Sequence, residues 1–423
     1  MRSRLPQTSF IVARRQLALA VGSLLVDATL LLTVPGLAFP DRSFAWRALL
    51  EPPHTAPAYA APMMQTGDDT QAAEPGAQAS YEPTATDAPA TSSQEDARRG
   101  EGSNFAQPAL AVTSPPLPPH FQLPAPRHEY QTWNNCGPAT LSMALRLFGR
   151  SETQAVTAHA LKPDRNDKNV RPDEIVAYAR ATGLDAAAYV NGDLERLKRL
   201  LVMRAAVIVE TWLVRPPNDD VGHYRLLLGY DDAARQFILH DSLFGPLVRL
   251  SYDTLDAGWR VFNRTYIVIT RPEQRAELET VLESDTDEGS MYAAALERAQ
   301  AEIAARPNDA FAWFNMGSSL AGLGRFADAA AAFERARAIG LPWRMLWYQF
   351  GPLHAYEGTG RWQDLLALTA EILRTAPNHE EALYFRGRAL QGLGQVAQAR
   401  QHFQAALRYN PHFAPAALAL SQL

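Results

Sequence analysis

The chain reads as an α+β unit with an antiparallel sheet, followed by an all-α array of helix pairs. Three patterns along its 423 residues predict that division. Apolar residues at helical spacing fill the stretch from Cys136 to Leu201. Runs rich in β-branched and aromatic residues come next: AAVIVETWL (205–213), HYRLLLGYD (223–231), QFILHDS (236–242) and TYIVIT (265–270). From Glu283 onward an aromatic or apolar residue, a glycine four later and a second apolar stripe recur with a period of about 34 to 36 residues. Helices before strands within one unit argue for antiparallel pairing.

Taken in order, the chain opens with Arg2, Arg4, Arg14 and Arg15, then an apolar run from Leu17 to Phe39 interrupted by Asp27. This is the layout of an export signal or a single membrane anchor, assigned to residues 1–39. A cut after Ala38 fits, and no cysteine follows the run, which excludes a bacterial lipid anchor. The expected location is therefore outside the cytoplasm: cell envelope, periplasm or membrane-anchored. Residues 40–126 are rich in Pro, Ala, Thr, Ser and acids, and too poor in large apolar groups to offset the entropy lost on folding. A disordered tether is expected there.

Folded sequence is expected over 127–271. In YQTWNNCGPATLSMALRLFG (130–149), Ala139, Met143, Ala144, Leu147 and Phe148 recur at three and four, so a helix begins at or just after Cys136 and ends near Gly149. Pro138 is tolerated in its first turn, where a missing N–H leaves nothing unpaired. Cys136 is the only cysteine, and a helix N-terminus favours thiolate over thiol. Gln131, five residues upstream, can offer its amide to an oxyanion formed beside the sulfur. A second helix follows Arg171-Pro172-Asp173-Glu174 and closes at Gly183; a strand over 186–190 and a helix capped by Asp193 precede the strands. The hairpin turn at 231–235, centred near Ala233, sets residue 241 opposite 225. His223 lies two positions further, so His223 and Asp241 project from neighbouring strands to one face. A register slip of one would separate them.

After a linker over 272–290, three repeats follow within 291–423: Trp313, Gly317, Leu320, Gly324, Phe326, Phe333; then Trp347, Gly351, His354, Gly360, Trp362, with a two-residue insertion; then Leu383, Gly387, Leu390, Gly394, Phe403. These offsets resemble tetratricopeptide repeats, stacked helix pairs forming a solenoid. Met291 to Arg306 reads as a preceding half repeat or cap, and Trp313 and Trp347 as solenoid core. A net charge of −5 gives no basic surface for nucleic acid. The three lysines, Lys162, Lys168 and Lys198, lie in no phosphate-cradling loop. No spacing suits a metal, and no cofactor is expected. Asn218, Asp219 and Asp220 read as a solvated acidic loop.

Cys136, His223 and Asp241 together supply a nucleophile, a base and the carboxylate that fixes the base's tautomer. His240 and His128 are alternative bases, and Asp241 can instead cap a turn before Gly245 and Pro246. Gln131-x4-Cys136-Gly137-Pro138-Ala139 with Gly222-His223-Tyr224, Gly229-Tyr230-Asp231 and His240-Asp241-Ser242 resembles papain-like cysteine peptidases of the bacteriocin-processing, double-glycine type. The closer likeness is to stand-alone relatives of that domain. Asn135 stands where the bacteriocin processors have Asp. The resemblance implies an α+β papain-like fold, the nucleophile's helix packed on the sheet, and hydrolysis of peptides through a thioester. It also implies the roles of Gln131 (oxyanion), Cys136, His223 (base) and Asp241 (orienting). The solenoid's concave face is expected to bind a protein partner or present substrate. Two other readings stay open: a peptide-binding scaffold without turnover, and a thiol acyl transferase or amidase on the same fold.

Overall fold

The computed structural model describes residues 116–215 and 219–423. The expectations for the export segment and most of the tether fall outside these residues.

The first unit contains β1 (His120–Gln122), α1 (Cys136–Arg146), α2 (Gln154–Leu161), α3 (Pro172–Ala181), β2 (Asp185–Tyr189), α4 (Leu194–Val202), β3 (Ala206–Leu213), β4 (Val221–Asp231), β5 (Gln236–Asp241), β6 (Gly245–Ser251), α5 (Tyr252–Trp259) and β7 (Tyr266–Thr270). Among the described residues the strands form one seven-stranded sheet in the order β2-β7-β3-β4-β5-β6, with β1 on β4 beyond the end of β3. Every pairing is antiparallel. Helices cover both faces. On one, Leu141 and Leu145 of α1 and Ile175 of α3 pack on Ile208, Leu226 and Ile267. On the other, Leu197 and Leu201 of α4 and Trp259 of α5 pack on Val207, Val209 and Val268. A strand covered on both faces has no need of alternation, which is why β3 is apolar almost throughout.

Folding starts earlier than the expected boundary at Arg127. His120 and Phe121 pair with Asp231 and Tyr230, and Leu123 is buried, so residues 116–126 belong to the sheet unit and not to the tether. The 272–290 stretch is likewise no free linker. Its helix α6 (Arg275–Leu282) buries Leu278 and Leu282 against the α4 face, and Asp285 pairs with Arg196.

The second unit runs α7 (Glu288–Ala305), α8 (Ala310–Gly322), α9 (Phe326–Ile339), α10 (Gly351–Gly358), α11 (Trp362–Thr375), α12 (Glu380–Gly392), α13 (Val396–Tyr409) and α14 (Ala414–Ser421). Three pairs, α8/α9, α10/α11 and α12/α13, match the three repeats, and α7 is the preceding half. In the outer two pairs the glycine of the first helix lets its partner's ring approach: a methyl at Gly317 would meet Phe333 at 2.7 Å, and one at Gly387 would meet Phe403 at 2.5 Å. Trp347 is core, as expected. The middle repeat departs from its neighbours. Its first helix begins only at Gly351, after Trp347, and residues 340–350 run as an irregular segment with one 3-10 turn at Met345–Trp347.

That segment and the first helices of the pairs face the sheet unit. Asn315 and Ser319 of α8 bond Arg260 and Asn263, Gln349 bonds the Val261 carbonyl, and Glu381 of α12 pairs with Arg171 at 3.1 Å. Trp212, Val261 and Phe262 of the first unit belong to the same buried cluster as Phe314, Phe333 and Trp347 of the second. The first helices of the outer pairs are thus turned, along these contacts, to the chain's own sheet unit. The acidic loop is corrected too: Asp219 pairs with Arg344 at 2.5 Å and with Arg215 at 3.2 Å, and is not merely solvated. Asn218 lies outside the described residues.

Candidate active site

Cys136 is the first residue of α1, half-buried, with the helix's N-terminal N–H groups beside it. His223 is on β4 and Asp241 ends β5; they are 2 % and 1 % exposed. Asp241 lies opposite Arg225, and His223 Nε2 is 2.8 Å from Asp241 Oδ1. The Cys136 thiol lies near enough to the ring that each shifts the titration of the other.

A bulge makes this register. Near the turn Asp231 pairs with Gln236 and Gly229 with Ile238, but past the irregularity between Leu227 and Gly229, Leu227 pairs with Leu239 and Arg225 with Asp241. Without that extra residue, Asp241 would sit opposite Leu226 and project to the other face from His223.

The electrostatics follow from burial and neighbours. Burial pushes the Cys136 thiol up, but the hydrogen bond and charge of His223, the Tyr224 backbone and the Lys162 ammonium bring it below the ordinary thiol range. Burial pulls His223 down, yet hydrogen bonding to Asp241 and Cys136, and their charge, hold it above the usual imidazole value. Both net shifts favour a thiolate beside an imidazolium. Asp241 stays ionised well below the carboxylate range: burial opposes this, and His223, Arg225 and the Leu243 N–H outweigh it.

Gln131, in the loop before α1, accepts a hydrogen bond from Ser242 Oγ on its Oε1 at 2.8 Å, and its N–H donates to the Ser242 carbonyl at 2.8 Å. With Oε1 so occupied, the amide presents its Nε2 donors elsewhere. The alternative bases are committed to the backbone. His240 Nδ1 accepts from Leu247 N–H at 3.1 Å, so its Nε2 is the donor to the Pro126 carbonyl at 2.9 Å. His128 Nε2 donates to the Asp241 carbonyl at 2.9 Å.

Four supporting residues escaped the sequence reading. Arg225 Nε donates to Asp241 Oδ2 at 2.9 Å, and its guanidinium also contacts Thr211 Oγ1. Thr211 in turn donates to the His223 carbonyl at 2.9 Å. Lys162, buried, donates to the Asn134 carbonyl at 2.8 Å, two residues before the sulfur. Ser242 fixes the Gln131 amide. The signal for Arg225 was present: a cation inside the apolar run HYRLLLGY needs a buried anion, and Asp241 was already placed opposite it.

The fold is that of a C39-like α+β domain joined to a helical unit with a tetratricopeptide repeat. Residues 116–271 match the Peptidase_C39 like family, and residues 380–413 match the tetratricopeptide repeat. Among solved structures, the chain is similar to the peptidase domain of Streptococcus ComA, a bifunctional ABC transporter of a quorum-sensing pathway. Identity is 17%, coverage 35% of this chain and 98% of that one, and the TM-score 0.28. It is also similar to a candidate C39-like peptidase from Bacillus anthracis (15% identity, 35% and 94% coverage, TM-score 0.29). A third similarity is to a double-glycine-motif protease from an AMS/PCAT transporter, solved with its leader peptide (17% identity, 36% and 94% coverage, TM-score 0.27). No curated protein matches the chain.

Proposed function

We propose that the protein is a cysteine peptidase in which Cys136 attacks the scissile carbonyl carbon and His223 carries the proton between thiol and leaving amine. The observation that carries this reading is the His223 ring itself, held by Asp241 through Nε2 at 2.8 Å and close enough to Cys136 that ring and thiol shift one another toward their charged forms. In the first half-reaction the C–S bond forms, the tetrahedral oxygen becomes negative, and the Gln131 amide with the Cys136 N–H stabilises it. Collapse breaks the C–N bond, and the amine leaves with the proton from His223. Water then attacks the thioester, giving its proton to the ring. The C–S bond then breaks, the acid product leaves, and the sulfur takes back the proton from the ring.

Support for hydrolysis of peptides also comes from the family match over 116–271, and the repeat unit fits a role in holding a peptide or protein near the site. An exported or envelope location, read from residues 1–39, is part of the proposal. A thiol-directed electrophile tests the core of it. Iodoacetamide should alkylate Cys136 well above the rate of free cysteine at neutral pH, and His223→Ala should remove the excess. Equal slow alkylation of both proteins would leave a binding module without turnover.

A further inference from the structure

A cleft of about 400 Å³ runs between the two units. Its lining includes Glu210 of β3, Arg171 before α3, and Tyr348 of the irregular segment in the middle repeat. The cleft begins beside the site. Glu210 pairs with Tyr224 across the β3–β4 ladder, so their side chains share a face, and a methyl on Gly137, next to Cys136, would stand 3.4 Å from the Tyr224 ring. Tyr348 lies on that same face of the sheet, over the residue before His223: a methyl on Gly222 would meet its ring at 2.9 Å.

Four carboxyl groups line the cleft, those of Asp173, Glu210, Glu288 and Glu381, against the one guanidinium of Arg171. That cation is already taken, by Asp173 at 2.9 Å, Glu381 at 3.1 Å and Glu174 at 3.3 Å. Glu210 differs from the others. It is 6 % exposed and has no ion-pair partner among the described residues; its polar neighbour is the Tyr224 phenol, whose single hydrogen goes to the Val170 carbonyl at 2.9 Å. A buried carboxyl facing an open cleft without a cation is a site missing its counter-ion: burial and the neighbouring Cys136 push Glu210 up, and a bound cation would favour its charged form.

We propose that this cleft is a substrate subsite that takes a basic side chain of the peptide, with Glu210 as its counter-ion and Tyr348 of the repeat unit as its aromatic wall. A lysine or arginine stem would run along apolar lining such as Phe262 and Phe350 while its charged head reaches the carboxyl; an aromatic face beside it adds cation–π attraction. The repeat unit would then set specificity by completing the pocket. This inference rests on the peptidase reading, since it makes the ligand a substrate residue.

The test separates the two. In the full chain carrying Cys136→Ala, binding of acetylated alanine-rich hexapeptide amides with a single arginine or lysine is compared with that of citrulline and norleucine counterparts, by calorimetry. The basic peptide should bind at least about tenfold more tightly than its neutral isostere, the worth of one charge-assisted hydrogen bond. Glu210→Gln in the same background should bring the ratio within about twofold of one, with circular dichroism checking that it folds. If that variant does not fold, Tyr348→Leu should also lower the ratio. Equal affinity for basic and neutral peptides in the protein with Glu210 intact, or binding of none at about 10 mM, overturns the subsite. Iodoacetamide alkylation of the unaltered chain judges the thiolate reading independently.

Discussion

Replacing Asp241 by asparagine probes the site at its most connected atom pair. Asp241 Oδ1 accepts from His223 Nε2 at 2.8 Å and from the N–H groups of Leu243 and Phe244 at 2.9 and 3.1 Å; Oδ2 accepts from Arg225 Nε at 2.9 Å. An amide can serve only one side as acceptor. With its oxygen kept toward the three donors, its NH2 confronts the Arg225 N–H, donor against donor. Two losses follow, one in reactivity and one in stability. Removing the charge withdraws a charge-assisted hydrogen bond from the imidazolium, worth about 1.5–3 kcal/mol, or roughly 10- to 100-fold in the thiolate–imidazolium population. Arg225, 7 % exposed, loses its ion-pair partner, which in buried pairs costs about 3–5 kcal/mol. The assay is the rate of Cys136 alkylation against pH, with urea unfolding alongside. Arg225→Met added to Asp241→Asn should recover most of the stability, because the stranded cation is gone, while the alkylation rate near pH 7 stays low. An unchanged alkylation profile in Asp241→Asn, or a double variant that regains reactivity, would refute the coupling of carboxylate, ring and thiol.

Three other outcomes are expected. Gln131→Ala should lower peptide hydrolysis by about 10²–10³ in kcat while leaving alkylation near its original rate, since alkylation develops no oxyanion; Ser242→Ala, which frees the amide to turn, should show a smaller loss of the same kind. Gly222→Ala should destabilise the chain by about 1–3 kcal/mol in thermal unfolding and expose the 340–350 segment to limited proteolysis, because the new methyl would lie 2.9 Å from the Tyr348 ring and 3.2 Å from Phe262. Acid should loosen the contact between the units: burial raises the Glu381 carboxyl, but His379 and Arg171 outweigh it and hold it down to about 2. Its folded value lies below its unfolded one near 4.5, so its contribution is present above pH 4.5 and lost as pH falls toward 2. Glu381→Gln should flatten that limb of the stability curve.

The helix that starts at Cys136 and the one that closes at Gly183 were legible because proline position and apolar spacing act within a few residues. The facing of Asp241 and Arg225 was also legible, though through a turn count that the bulge near Leu228 makes valid. The bulge's one local mark is Gly229, since a glycine inside a strand run suggests a bulge or a close backbone approach; which residue is the extra one is set by packing on both sides of the sheet. β1 was missed because HFQ is three residues between prolines, held by pairing with Asp231 and Tyr230 that no local pattern announces. Residues 340–350 follow the same logic. Trp347 keeps the repeat's spacing, while contacts from Asn169 and Gly222, far away in sequence, decide that the helix begins four residues later. Ser242 needed only its neighbour Asp241 to draw notice, but its bond to Gln131 spans 111 positions.

Because Trp212, Val261 and Phe262 share a core with Phe333 and Trp347, the family boundary near residue 271 is a seam in the text of the gene and not in the solid body it encodes. A fragment ending there would bare three large apolar side chains and leave Arg171 without Glu381. It would carry the thiol and the imidazole yet present a different mouth to whatever it meets, so its preferences would not be those of the whole. Exchange of the helical half for one from another protein would, by the same token, remake the pocket rather than merely redirect delivery.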